Sequence, residues 1–284
     1  MSTIVLGFAT SLVYGFADFF GALASRKLKA VLVTAVSGCT GLLFLFAMTP
    51  FFGAAFTGDA VWVGVAAGLF SAFAMSCLYA SLAIGPISIL SPLGAVISAL
   101  VPTVWALAGG ESFTPVKAGA IAAILIAVVL VAFVPGAEVR VPSAKGLLLG
   151  VGAGVGIGAV LISLKLAPAE SGLSTVIVMR AVSATLLSLF LLLGLLRGHG
   201  VGELRQPARV WAFMAIAGVF DSSANVFFLL ASRVGSLTVV SVLTALYPLG
   251  TIVLARVFLK ERIANIQLVG VLLALASSAI LATA

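Results

Sequence analysis

Long apolar runs alternate with short polar segments along the whole chain. Each run holds about 18 to 24 residues, the length at which an α-helix crosses the hydrocarbon core of a bilayer. Most of the polar segments are only a few residues long, so they leave no room for a soluble domain. The pattern predicts ten transmembrane helices, at residues 3–24, 30–49, 60–82, 86–108, 115–134, 144–166, 173–196, 208–231, 237–258 and 265–283.

The amino-acid composition supports this fold class. Hydrophobic residues make up 63% of the chain and charged residues 8%, against roughly 25% charged residues in a soluble domain. So few charges cannot cover the surface of a water-soluble protein. We therefore expect an all-α fold, that of a polytopic integral membrane protein surrounded by the lipid bilayer.

Charge and chemistry narrow the function classes. The net charge is +7, but the basic residues lie at helix ends, where they meet lipid headgroups, so we expect no nucleic-acid partner. Cys39 and Cys77 fall inside spans without a Cys/His cluster, which predicts neither a disulfide framework nor a metal site. With one histidine in the chain, no catalytic set is visible, so we expect no enzyme activity and no cofactor.

A glycine-rich stretch in the sixth span allows two interpretations. Residues 154–159 match G-x-G-x-x-A, a variant of the dinucleotide-binding fingerprint, yet Gly150, Gly154 and Gly158 also form one smooth stripe on a helix. A dinucleotide site needs a strand before the motif and a soluble βαβ pattern around it. Neither is present, so the context favours close helix packing.

The second half of the sequence repeats the first. Segments of the third to fifth spans return at a shift of 150, so that Ala83 corresponds to Arg233 and Glu111 to Glu261, and the first span returns at a shift of 143. Gly7, Ser11 and Gly15 then align with the glycine stripe of the sixth span. The chain is therefore predicted to consist of two five-helix repeats, at residues 1–140 and 141–284.

An odd number of spans per repeat predicts that the two halves lie upside down relative to each other, and the charges agree. Arg26, Lys27 and Lys29 follow the first span, whereas the equivalent loop after the sixth holds only Lys165 as a basic residue. The basic bias switches sides between the halves, as an inverted repeat requires. Arg233 is an exception that the pattern does not explain.

The sequence resembles the ten-helix EamA-type transporters of the drug/metabolite transporter superfamily. The resemblance covers essentially the whole chain and is strongest from Leu246-Tyr247-Pro248 to the Glu261-Arg262 hairpin, followed by Gly270; Gly110-Glu111 echoes it in the first half. It implies a probable exporter of small metabolites, such as amino acids or related compounds, in the cell (cytoplasmic) membrane. It also implies alternating access at a midplane pocket between the two repeats.

Membrane orientation has two readings. The loops after the first, fifth, seventh and ninth spans carry 11 Lys and Arg residues and the others carry 3, which places both termini outside by the positive-inside rule. The family resemblance implies that both termini lie inside. The sequence therefore leaves the orientation open, as it does the choice between a monomer and a homodimer.

Three ionisable residues are expected inside the hydrocarbon, namely Asp18, Arg180 and Asp221. Each costs at least about 2.5–3.5 kcal/mol on insertion scales, so each needs a partner, a hydrated cavity or a function. Helical spacing places Tyr14 on the face of Asp18, and Asn225 on the face of Asp221. These five residues, with Tyr247, are the predicted substrate-binding set.

Depth along the antiparallel spans brings Arg180 and Asp221 to nearly the same level, where a salt bridge can form, with Asp18 about 8 Å nearer the other face. Arg180 would bind a substrate carboxylate, and an aspartate would bind an amine or a proton, so protons are a candidate coupling ion. The alternative is that Arg180 extends to the headgroups and Asp18 caps a helix at the interface, with no role in transport.

Prolines in equivalent spans suggest flexing elements. Pro92, Pro102 and Pro248 are predicted to interrupt the fourth and ninth spans, either as mobile kinks or as static ones. Two further functions stay open: a structural or assembly protein of the membrane, and a sugar- or nucleotide-type exchanger of the same fold. A phosphate substrate is disfavoured because it needs several basic pocket residues.

Overall fold

A computed structural model of the chain describes residues 2–25, 27–84, 87–132, 142–198, 204–258 and 264–283. The predicted Glu261-Arg262 hairpin lies outside these residues. The described part consists of α-helices joined by short connections, with one 3-10 turn at Ala169–Ser171. The helices are α1 (Ser2–Ser25), α2 (Ala30–Phe52), α3 (Gly58–Ile84), α4 (Ile87–Ala108), α5 (Pro115–Ala132), α6 (Ala144–Lys165), α7 (Ser174–Leu196), α8 (Ala208–Val234), α9 (Leu237–Thr244), α10 (Pro248–Phe258) and α11 (Asn265–Thr283).

The helices are those of a polytopic membrane protein. Within the described residues, seven segments are long and apolar enough to cross a membrane, and the segment Leu237–Phe258, which contains α9 and α10, is one of them. Three further apolar helices are shorter, at Leu93–Ala108, Pro115–Val131 and Asn265–Ile280. An all-helical, multi-pass membrane protein is therefore confirmed.

Proline breaks one of the two helices that were predicted to be interrupted. Between α9 and α10 the Tyr247 N–H donates to the Thr244 carbonyl at 3.0 Å, a tight turn that replaces the helical bond Pro248 cannot make. In the fourth span α4 continues as one helix past Pro92 and Pro102, so neither proline ends the helix; the kinks expected there stay a prediction. A proline removes a single backbone bond, which a helix packed in a bundle tolerates.

Helices of the two halves pack on each other more than on their own half. Helix α1 packs on α8, α9 and α10, while α6 packs on α3 and α4. Helix α2 packs on α7 and α8, α3 on α7, and α5 on α11. Each of these contacts joins a helix of the first half of the chain to one of the second half, so neither half is a separate globule.

The glycine stripe of α6 packs against α4. A Cβ at Gly154 would lie 2.6 Å from the Cβ of Ile97, and one at Gly158 would lie 2.7 Å from the Cβ of Val101. Real Cβ atoms do not approach so closely, so only glycine lets the two backbones meet here. The packing interpretation of the stripe is confirmed.

The corresponding stripe of α1 packs against the broken helix. A Cβ at Gly15 would lie 2.6 Å from the Cα of Gly250, and the Thr251 hydroxyl donates to the Gly15 carbonyl at 3.1 Å. Backbone-to-backbone approach therefore fixes α1 against α10, as it fixes α6 against α4.

We predict that Gly154→Ala lowers the unfolding temperature of the detergent-purified protein. The added methyl group must displace Ile97 or separate α6 from α4, and overpacking of this kind costs about 1–3 kcal/mol. Gly119→Ala is the matched control, because a Cβ at Gly119 in α5 meets nothing within 4 Å. Equal unfolding temperatures for the two variants would contradict the packing assigned to α6.

Candidate functional site

An ion pair inside the helical bundle links α7 to α8. The Arg180 guanidinium donates to the Asp221 carboxylate. The Arg180 side chain is 11% exposed and that of Asp221 34% exposed, so the charges are mostly withdrawn from the surroundings. The predicted salt bridge is confirmed, and the alternative in which Arg180 extends to the headgroups is wrong because its charged end is held by Asp221.

Two neutral side chains extend this pair to α1. The Tyr14 hydroxyl donates to Asn225 Oδ1 at 2.9 Å, and Asn225 Nδ2 donates to the backbone carbonyl of Asp221 at 2.8 Å. Asn225 is buried and Tyr14 half-buried. Four of the six predicted site residues therefore form one polar network across α1, α7 and α8.

Asp18 lies beside this network rather than within it. It is exposed, one helical turn beyond Tyr14, and it lies within electrostatic range of the Tyr14 hydroxyl. Among the described residues Asp18 has no ion-pair partner. It is seven residues before the last residue of α1, so the alternative of an interfacial cap is wrong.

Tyr247 belongs to a different environment. It is half-buried at the break between α9 and α10 and packs against an apolar cluster that includes Leu243 and Leu246. Its described packing therefore assigns it to the core beside α1.

Exposure increases steadily along one stripe of α1. Ser11 is fully buried, Tyr14 is half-buried, and Asp18, Ala22 and Ser25 are exposed. These residues follow one another at steps of three and four, so they share one face of the helix. The stripe therefore leads from the exposed end of α1 down to the polar network.

The equivalent stripe of α6 is more buried than that of α1. At the shift of 143, Ser11 corresponds to Gly154 and Asp18 to Leu161, and both of these α6 residues are buried. Leu161 joins an apolar cluster with Leu164 and Phe228. The two helices therefore differ at this position, because α1 has an exposed carboxylate, Asp18, where α6 has a buried leucine, Leu161.

Two basic residues fasten the loops at the end of the molecule where α6 and α8 terminate. The Lys165 ammonium donates to the backbone carbonyls of Ser232 and Gly235, and the Arg233 guanidinium donates to those of Pro168 at 3.3 Å and Gly172 at 3.2 Å. The α6–α7 connection and the α8–α9 connection are thus joined by reciprocal cation–carbonyl bonds. We call these bonds the loop clamp.

The loop clamp explains why Arg233 departs from the charge pattern. It lies in the last turn of α8 and Lys165 in the last turn of α6, where basic side chains bond free carbonyls. In the first repeat the equivalent residues are Ala83 and Ala22. Reasoning from the sequence missed this role, although a basic residue in the last turn of each of two neighbouring helices was the available signal.

One groove on the described part of the structure is separate from the polar network. It is a groove of about 380 Å³ between α2 and α7, and none of the six predicted site residues lines it. The residues around it are Cys39, Leu42, Ala181, Ala184, Thr185, Ser188, Leu189 and Leu192. In the part of the chain that is described, no three His, Cys, Asp or Glu residues group to hold a metal ion.

Comparisons with known proteins agree with this architecture. Residues 144–283 match the EamA-like transporter family. The sequence matches none of the curated proteins with which it was compared. A solved structure, titled only "Crystal structure of protein", shares the fold with a TM-score of 0.78 and 16% sequence identity, over 98% of this chain and 96% of the other. This likeness concerns the fold alone.

We predict that Arg180→Gln and Asp221→Asn each destabilise the detergent-purified protein, by about 1–3 kcal/mol, because each leaves a mostly buried charge without its partner. The double variant removes both charges, so its loss of stability is expected to be smaller than the sum of the two single losses. Unfolding temperatures of the four proteins measure the coupling. Strict additivity would contradict a direct ion pair.

Proposed function

Because this chain belongs to the EamA-like transporter family, matched over residues 144–283, we propose that it exports small metabolites, such as amino acids or related compounds, across the cell membrane. The observation that carries the proposal is the polar network of Tyr14, Arg180, Asp221 and Asn225. A static apolar bundle has no need for a buried ion pair, whereas a carrier needs polar groups at the depth where its substrate is held.

The proposed architecture is ten membrane-crossing helices in two inverted repeats, at residues 1–140 and 141–284. The helix pairs support it, because exchanging the halves turns α1 on α8 into α6 on α3, and α2 on α8 into α7 on α3. The same exchange turns α6 on α4 into α1 on the α9–α10 pair. The family match over 144–283 coincides with the second repeat.

Alternating access follows from this arrangement. The exposed stripe of α1 leads to the polar network from one face, while the buried stripe of α6 and the loop clamp occupy the other end. We assign the structure to a state in which the site opens at the face where α1 ends. Reversing the access requires the contacts around Leu161 to separate and those around Asp18 to close.

Each network residue has a proposed part in binding. Tyr14 and Asn225 offer hydrogen bonds to a polar substrate, and Arg180 is held by Asp221 in the empty site. This pairing weighs against a phosphate exchanger, since the arginine is already neutralised. Tyr247 stands as a substrate-binding residue only if the α9–α10 break moves toward the site during transport.

We predict that the unfolding temperature of the detergent-purified protein rises with its substrate, because a ligand of the folded state alone stabilises it. A panel of amino acids, aromatic metabolites, polyamines and organic cations is the search set. The rise should disappear in Tyr14→Phe/Asn225→Leu and persist in Asp59→Asn, which removes an exposed carboxylate at the start of α3. A rise that survives loss of the network residues would contradict the proposed site.

Proton coupling is assigned to Asp18 rather than Asp221. Asp18 is exposed and has no ion-pair partner among the described residues, whereas Asp221 is engaged by Arg180. Transport by reconstituted vesicles is therefore expected to lose its pH dependence in Asp18→Asn and to keep it in Asp221→Asn wherever that variant is active. If Asp221→Asn loses the pH dependence of transport and Asp18→Asn keeps it, Asp221 carries the proton.

A further inference from the structure

The charges around the polar network do not cancel. The charge of Arg180 is balanced by Asp221, with which it forms a direct ion pair. Another guanidinium nitrogen, Nε, is fully enclosed and has no hydrogen-bond partner in the described structure, so this nitrogen is not accessible to a ligand in this conformation. In this state the charge of Arg180 is engaged by Asp221 rather than left free for a substrate carboxylate.

Asp18 supplies the net charge. It is an exposed carboxylate on the α1 stripe that leads to the network, and the described residues give it no cationic partner. Tyr14 is neutral, and the Asn225 amide already accepts from Tyr14 and donates to the Asp221 backbone. The accessible charge at the approach to the network is therefore negative.

Three of the described basic residues either lie beyond the end of α1 or have backbone partners of their own. Lys27 follows the end of α1 at Ser25, which itself lies about 10 Å along the helix from Asp18. Lys165 and Arg233 are engaged by backbone carbonyls in the loop clamp. An uncompensated carboxylate in a membrane span is costly, and a bound cation would remove that cost.

We propose that the site selects a cationic substrate, an organic amine whose ammonium group binds Asp18 while its remaining polar groups meet Tyr14 and Asn225. This inference rests on the proposed transport function and goes further, because it assigns the charge class of the substrate. It replaces the expectation that Arg180 binds a carboxylate, since the arginine is occupied.

The test compares three charge forms of one side chain, using leucine, leucinamide and N-acetylleucine, and repeats it with the phenylalanine series. Leucinamide lacks the carboxylate and N-acetylleucine lacks the ammonium group, so shape is held nearly constant while charge changes. Binding is measured by thermal shift near pH 6.5, where about nine-tenths or more of a free α-amino group is protonated. Transport of each compound is measured in vesicles containing the purified protein.

We expect the amides to bind more tightly than the zwitterions, because both keep the ammonium group but only the zwitterions bring a carboxylate, which Asp18 repels. The N-acetyl acids should not bind, because they lose the charge-assisted hydrogen bond to Asp18, which contributes about 1.5–3 kcal/mol, or roughly tenfold or more in affinity. Asp18→Asn should abolish this ranking, Asp18→Glu should keep it, and Asp59→Asn should behave as the unmodified protein. The Glu variant controls for folding, because it retains the charge at the same position.

The possible failures are distinguishable. Transport of the zwitterions or the N-acetyl acids in preference to the amides would overturn the cation inference and leave the transport function standing. An amide preference that persists in folded Asp18→Asn would overturn the role of Asp18. If no compound of any charge form binds or moves, the proposed function fails and the inference fails with it.

Discussion

An ionised side chain inside a bilayer must be paired, bonded to backbone or hydrated, and this constraint organises the protein. Several of its charged residues meet this constraint in different ways. Arg180 and Asp221 pair with each other, while Lys165 and Arg233 donate to loop carbonyls. Asp18 has none of these partners among the described residues and is instead exposed at the end of a helical stripe. The distribution of charge thus separates groups that hold the fold from one that is available to a ligand.

The two halves of the chain are alike in how their glycine-lined helices pack but differ in the polar residues that they carry at equivalent positions. Matching glycine stripes let α1 approach α10 and α6 approach α4 at the backbone, so these two pairs of helices pack in a similar way. The polar groups are not alike, because Asp18 corresponds to Leu161 and the residues of the loop clamp correspond to alanines. A symmetric scaffold with asymmetric chemistry can hold a site open to one face and closed to the other, which is what alternating access requires of each end state.

Much of this could be predicted from the sequence, because lipid imposes simple rules on it. Apolar runs placed the helices, and helical depth placed Arg180 opposite Asp221, since both depend on distance along a helix. The uninterrupted α4 could not be predicted, because tertiary packing decides whether a proline breaks a membrane helix. The loop clamp was missed for a related reason. A hydrogen bond from Arg233 to Gly172 depends on how two loops meet, and no local pattern encodes that.

The central claim is that one polar site is reached from alternate faces of the membrane, and thiol accessibility along the α1 stripe tests it most directly. In a protein without Cys39 and Cys77, Ala22→Cys and Ser11→Cys are labelled with a membrane-impermeant reagent from either side of the membrane. Without substrate, Ala22→Cys is expected to react from the face where α1 ends, and Ser11→Cys is expected to be protected. During turnover, the labelling rate of Ala22→Cys should fall and Ser11→Cys should become reactive from the opposite face. Labelling of both positions from the same face, unchanged during turnover, would contradict alternating access.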